Sequence, residues 1–172
     1  MLTVVPDVNV LVSSLIKQRG PIQRIQAAWE ADTLLFVTSA PIIAKTDEVL
    51  HREKITSLFS TPGLAEERIQ RFLATLRQRA MQTPYQLDLK VVEKDPEDDT
   101  IIIAAVESNA DCIISGDKHL KDLDTYQGIP ILTPAQFVED VPILVETTQA
   151  PFIIFDAENI PLCSVSQTTQ GA

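Results

Sequence analysis

Short apolar runs alternate along this chain with segments of helical period, and this rhythm restricts the possible folds more than any other feature. "LTVV" (2–5) reads as a buried strand ending at Pro6-Asp7, and "VNVLVSSLI" begins a helix that Gly20-Pro21 interrupts. Pro21 suits the first turn of a further helix, where Ile22, Ile25 and Trp29 recur at helical spacing. "TLLFVT" (33–38) is a second strand, and Ser39 is placed to cap a helix running to about Glu53, with Ile42, Ile43, Thr46, Val49 and Leu50 on its apolar face. Thr61-Pro62 starts another helix, with Ile69, Phe72, Leu73 and Leu76 in one stripe that reads as core or dimer packing. "LDLKVV" (87–92) is a strand or an extended lead-in. "TIIIAAVESNA" fits a buried helix ending near Asn109, "DCIIS" a strand closed by Gly116-Asp117, and "IPIL" (129–132) a short last strand. Thr133 and Pro134 then open a final helix. Strands alternating with helices imply an α/β domain around a mostly parallel sheet. The rhythm covers residues 1–140. Residues 141–172 break it: "PFIIF" reads as an added strand or docking segment, and "SQTTQGA" as a loose polar end.

Composition narrows the class. At 45% hydrophobic residues in 172, the chain can bury a real core. No apolar run approaches the roughly 18 residues that span a membrane, and "MLTVVPDVNVLV" lacks the basic flank of a secretory signal. Cys112 and Cys163 lie far apart and have no metal-ligand spacing. Cys112, inside an apolar run, reads as a buried reduced thiol, and a cytoplasmic setting is expected. A net charge of −10 argues against coating nucleic acid with a broad basic surface. It leaves open a small acidic site that meets nucleic acid through bound cations, which reverse the local charge.

The acids fall where such a site belongs. Open α/β sheets keep their ligands beyond the carboxyl ends of the strands. Asp7 follows the first strand, Asp117 follows "CIIS", and Asp98-Asp99 heads the helix leading into that strand. Each has an ordinary reading as well. Asp98 or Asp99 can cap a helix, and Asp7 and Asp117 can be turn residues. Glu93, Asp95 and Glu97 read as a solvated approach.

Three ordered blocks, "VVPDVNVLVSSL", "DDTIIIAAVESNADCIISGDKHL" and "GIPILTPAQFV", resemble the PIN-domain family, nearest to its VapC-like toxin branch, over about residues 2–138. The most telling spacing is the eighteen positions from Asp99 to Asp117. The resemblance implies a three-layer α/β/α sandwich and a metal-dependent endoribonuclease of toxin-antitoxin type. It implies that Asp7, Asp99 and Asp117 are the catalytic ligands of Mg²⁺ or Mn²⁺, supported by Asn9, Asp98 and Ser115. It also implies an RNA substrate, an antitoxin partner and a homodimer. Such chemistry needs carboxylate oxygens for a hard cation, and no His or Cys nucleophile.

The pattern breaks most seriously in one place. The block "SAPIIAKTDEVLHREKI" puts Lys45 where the family has a further Glu. Three placements follow: Lys45 weakens metal binding, Glu48 one turn on reaches the site instead, or Lys45 turns outward and pairs with Glu48. Val8 is a milder departure, standing where a small hydroxyl residue is usual. His119 and His51 read as capping or surface histidines. Arg19, Arg24, Arg52, Lys54 and Lys118 read as scattered solvated charges or a phosphate-binding rim. Two other functions compete. One is a catalytically impaired PIN-fold module that binds protein or RNA. The other is a phosphatase similar to the haloacid dehalogenases, with Asp7 as nucleophile. Asn9 stands against the phosphatase, because it cannot serve as that mechanism's acid/base.

Overall fold

The computed structural model describes residues 1–17, 19–59, 62–92 and 98–141, with backbone alone at 62 and 63. Leu2–Pro6 forms β1, Val8–Ile16 α1, Pro21–Glu30 α2, Leu34–Ser39 β2 and Ala40–Leu50 α3. Glu53–Thr56 forms α4, Pro62–Arg79 α5, Met81–Thr83 β3, Asp99–Ser108 α6 and Cys112–Ile114 β4. Lys118–Leu123 forms α7, Thr125–Tyr126 β5, Ile129–Leu132 β6 and Pro134–Asp140 α8. The strands make one sheet in the order β3-β2-β1-β4-β6-β5, parallel throughout except for β5 against β6. Helices pack on it as a three-layer α/β/α sandwich, as the alternating pattern requires.

The chain lays β1, β2 and β3 outward in one direction, then returns through α6 to place β4 on the other side of β1. This reversal creates a topological switch point between the carboxyl ends of β1 and β4. Val4 and Val5 of β1 and Ile113 and Ile114 of β4 are fully buried, as central parallel strands require. α6 is apolar almost all round, with Ile101 to Ala105 buried, and it ends at Asn109 in the left-handed conformation (φ 51°). On the other strands' side, Trp29 of α2 stacks on Phe36 of β2 with ring centroids 4.7 Å apart, and Arg79 lies over the indole. α8 has a reciprocal cap: the Thr133 side chain accepts from the Gln136 N–H, and the Gln136 side chain accepts from the Thr133 N–H. Phe137 is fully buried and anchors this helix.

Several expected boundaries shift. The helix after Ser39 stops at Leu50 rather than Glu53, and Ser39 stands at the cap position without a side-chain cap bond. Residues 87–92 are an extended lead-in. The strand beside β2 is instead Met81–Thr83, directly after α5. β5 and α7 are too short for periodicity to announce them. The stripe Ile69, Phe72, Leu73 and Leu76 is core. Cys112 is buried as a free thiol, and burial pushes its pKa up to about 12. Glu93, Asp95, Glu97, Cys163, "PFIIF" and the expected extension from 142 onward lie outside the described residues. Among the described residues, no helix is long and apolar enough to cross a membrane.

Candidate metal centre

The switch point is built by backbone pairing. Pro6 is in register with Ile114, and the Asp7 N–H donates to the Ile114 carbonyl at 2.9 Å. This sets Asp7 and Ser115 side by side beyond the two strands. Ser115 is fully buried and its N–H donates to the Leu132 carbonyl, so β6 fixes it from the other side. The Ser115 hydroxyl donates to Asp7 Oδ2 at 2.8 Å and accepts from the Asp117 N–H at 2.9 Å. One hydroxyl therefore couples the two acids that 110 positions of sequence separate.

Asp7 is 3% exposed. Burial pushes its carboxyl above the ordinary carboxylate range. The Ser115 hydroxyl and the nearby backbone N–H groups of Asn9 and Val8 pull the other way, without forming a side-chain cap, while the neighbouring Asp117 charge adds to the rise. Asp117 is both a cap and a site residue: its Oδ1 accepts from the His119 N–H at 2.7 Å and so starts α7. His119 Nδ1 lies 3.8 Å from the same oxygen.

Asp7, Asn9, Asp98, Asp117, Lys45 and Glu48 line one open cleft of about 500 Å³. Carboxylate oxygens of Asp98 and Asp117 and a ring nitrogen of His119 lie within 4.8 Å of one another. Asp99 does not line the cleft. It is 6% exposed, and its Oδ1 accepts from the N–H groups of both Val91 and Val92 at 2.9 Å. Of the two neighbouring acids, Asp98, expected as the support, thus lines the cleft, while Asp99, expected as the inward acid, gives its Oδ1 to the backbone of the lead-in. The extended lead-in has backbone donors that need an acceptor, and Asp99 supplies it. Asp98, at the cap position of α6 with no side-chain cap bond, lines the cleft instead.

Lys45 pairs with Glu48, as one of its expected placements has it, while facing the cleft. Its Nζ lies 3.1 and 3.4 Å from the two Glu48 carboxylate oxygens, yet its side chain is only 28% exposed and lines the cleft. Glu48 also lines the cleft but is held from both sides: Arg52 donates to it at 2.8 Å. The Arg52 guanidinium, then Lys45, hold its carboxyl below the ordinary range. Of the basic residues expected at a rim, Arg52 lines the cleft. His51 lies away from the acids, with Nδ1 2.9 Å from Asp47 Oδ1 and Nε2 2.9 Å from Glu66 Oε2. Sequence reasoning read His119 as a capping or surface histidine. The signal was present, because an Asp that caps the N–H two residues on brings that residue's ring beside its own carboxylate.

The arrangement is an α/β/α sandwich with an acidic cleft at the switch point of its sheet. The chain belongs to the PIN-domain family, which matches residues 3–119. That excludes the expectation of a haloacid-dehalogenase-like fold and agrees with the resemblance in the sequence. A solved structure, VapBC2 from Rickettsia felis bound to a DNA fragment from their promoter, is similar in fold, with a TM-score of 0.50 at 11% identity over 77% of this chain and 98% of that one. No curated protein matches the chain.

The donor set suits a divalent cation. Three carboxylates from distant segments line one cleft, and Asp7 is desolvated there beside the Asp117 charge, so a bound ion would relieve both the desolvation and the repulsion.

Proposed function

We propose that this protein is a metal-dependent endoribonuclease of toxin-antitoxin type that hydrolyses RNA phosphodiesters at the switch-point cleft. The observation that carries this reading is the convergence of Asp7, Asp98 and Asp117 from the ends of β1, α6 and β4 on one open cleft. These three carboxylates would hold Mg²⁺ or Mn²⁺. When bound, such an ion supplies activation of water and neutralisation of phosphate charge. The protein's own part is positional. Ser115 locks the Asp7 carboxylate and the Asp117 backbone in one hydrogen-bonded unit. Asp99 ties the lead-in to α6 and so fixes the backbone that presents Asp98. Asn9, exposed at the cleft, offers an amide to a phosphate or to an ion's water. Arg52 supplies a cation at the rim for the RNA backbone.

Lys45 lowers the affinity of the cleft for the metal, since its ammonium competes for the same acids. This favours a second reading, a PIN-fold module that has lost catalysis and binds RNA or protein. An antitoxin whose segment covers the cleft, a homodimer and a cytoplasmic setting belong to the first reading. VapBC2, the similar fold, was solved with DNA from a promoter, and this is consistent with such a pairing. The test is cleavage of a mixed-sequence RNA by the full chain in Mn²⁺. Cleavage that disappears in Asp117→Asn supports the nuclease. RNA or protein binding with no cleavage, even in Lys45→Glu, supports the module.

A further inference from the structure

Beside Asp98 and Asp117 stands a donor that an all-carboxylate centre does not have. The chain has two histidines, and they are used in opposite ways. Both ring nitrogens of His51 are engaged, one by Asp47 and one by Glu66. The Nδ1 of His119 is buried as an atom and has no hydrogen-bond partner among the described residues. It lies 3.8 Å from Asp117 Oδ1, and a ring nitrogen of His119 lies within 4.8 Å of carboxylate oxygens of both Asp98 and Asp117. Metal–ligand bonds of about 2.0–2.2 Å place two donors on one ion roughly 3 to 4.4 Å apart. The Asp117 to His119 separation falls inside that range. The backbone that carries the ring is held in place, because the His119 N–H donates to the Asp117 carboxylate at the head of α7. Nδ1 therefore approaches the position an ion would take between Asp98 and Asp117 without a change of backbone.

We propose that His119 is a nitrogen ligand of this centre, and that the centre is therefore selective for a transition-metal dication such as Mn²⁺ or Co²⁺ over Mg²⁺. The inference rests on the metal-centre reading above and narrows it. Imidazole nitrogen suits borderline first-row metals, whereas Mg²⁺ takes oxygen and dehydrates reluctantly. Affinity for an N/O site rises from Mn²⁺ to Co²⁺, so the order expected here is Co²⁺ above Mn²⁺ above Mg²⁺. Lys45 works in the same direction. It weakens a centre that depends on charge alone, and so increases the share of affinity that a nitrogen donor contributes.

The experiment titrates the full chain with Mg²⁺, Mn²⁺ and Co²⁺ by calorimetry, and records electron spin-echo modulation of bound Mn²⁺. The wild type and the His119→Asn and Asp98→Asn variants are compared. The expected result is ¹⁴N coupling to Mn²⁺ in the wild type that is absent in His119→Asn. That variant should lose about tenfold or more in Mn²⁺ and Co²⁺ affinity and little in Mg²⁺ affinity. Asp98→Asn should weaken all three ions. Mn²⁺ binding without nitrogen coupling, or equal losses for Mg²⁺ and Mn²⁺ in His119→Asn, overturns the assignment of His119 and leaves the acidic centre standing. A wild-type chain that binds none of the three ions overturns both. The coupling is measured on the wild type, so the result stands even if a variant does not fold.

Discussion

On the floor of the cleft Asp7 is almost fully buried, and its side chain accepts from a neutral hydroxyl. On the wall formed by α3, Glu48 stands in solvent between Lys45 and Arg52. The floor carries negative charge that the fold has desolvated and left for another cation to balance. The wall carries charges that already balance one another in water. A buried, incompletely compensated charge costs far more than an exposed pair contributes. The proposed metal chemistry therefore belongs to the floor, with the wall adjusting it.

If this contrast is right, substitutions on the floor outweigh those on the wall. Asp117→Asn should reduce RNA cleavage in Mn²⁺ by on the order of 100-fold or more, and should abolish the rise in unfolding temperature that Mn²⁺ produces. Cleavage assays and thermal melts with and without the ion check both. Lys45→Glu replaces repulsion by attraction at the edge of the floor. It should tighten Mn²⁺ binding about tenfold, measured by calorimetry. Unchanged affinity would mean that the lysine's ammonium stays with Glu48 and never competes.

The next effect concerns stability without metal. Asp7 has its carboxyl pKa raised by burial, with Asp117 adding to the rise. A raised carboxyl contributes stability in its neutral form. That share is full below the ordinary carboxylate range and lost as pH rises through the folded value. Metal-free wild type should therefore lose stability from pH 4 towards pH 7 through this group. Asp7→Asn, which can still accept from Ser115, should flatten that loss and melt about 2–4 °C higher at neutral pH, the shift that ~1 kcal/mol produces in a domain of this size. Added Mn²⁺ should reverse the order of the two proteins. Smallest is the wall: Glu48→Gln should move the metal-free melting temperature by less than about 1 °C, because exposed pairs contribute little.

Much of the fold was legible in advance. "LTVV", "TLLFVT", "DCIIS" and "IPIL" become β1, β2, β4 and β6, since buried parallel strands must be continuous apolar runs. Met81–Thr83 was hidden, because an edge strand of three residues after a long helix leaves no period to detect. That Asp7 and Asp117 share the cleft could be read because each lies just beyond the carboxyl end of a strand. The contact that occupies Asp99 Oδ1 could not, because it depends on where the lead-in's Val91 and Val92 N–H groups find an acceptor, which is settled only in three dimensions. His119 was passed over for a related reason: its ring acquires meaning only once Asp117 is seen to cap its N–H.

The most direct test of the account compares neighbours. Mn²⁺ affinity of the full chain should be measured by calorimetry for wild type, Asp98→Asn and Asp99→Asn. The account predicts that Asp98→Asn loses most of the binding. Asp99→Asn, whose amide oxygen can still accept from Val91 and Val92, should keep affinity within a few-fold of wild type. The reverse pattern, with binding lost in Asp99→Asn and kept in Asp98→Asn, would contradict the placement of the metal on the cleft floor.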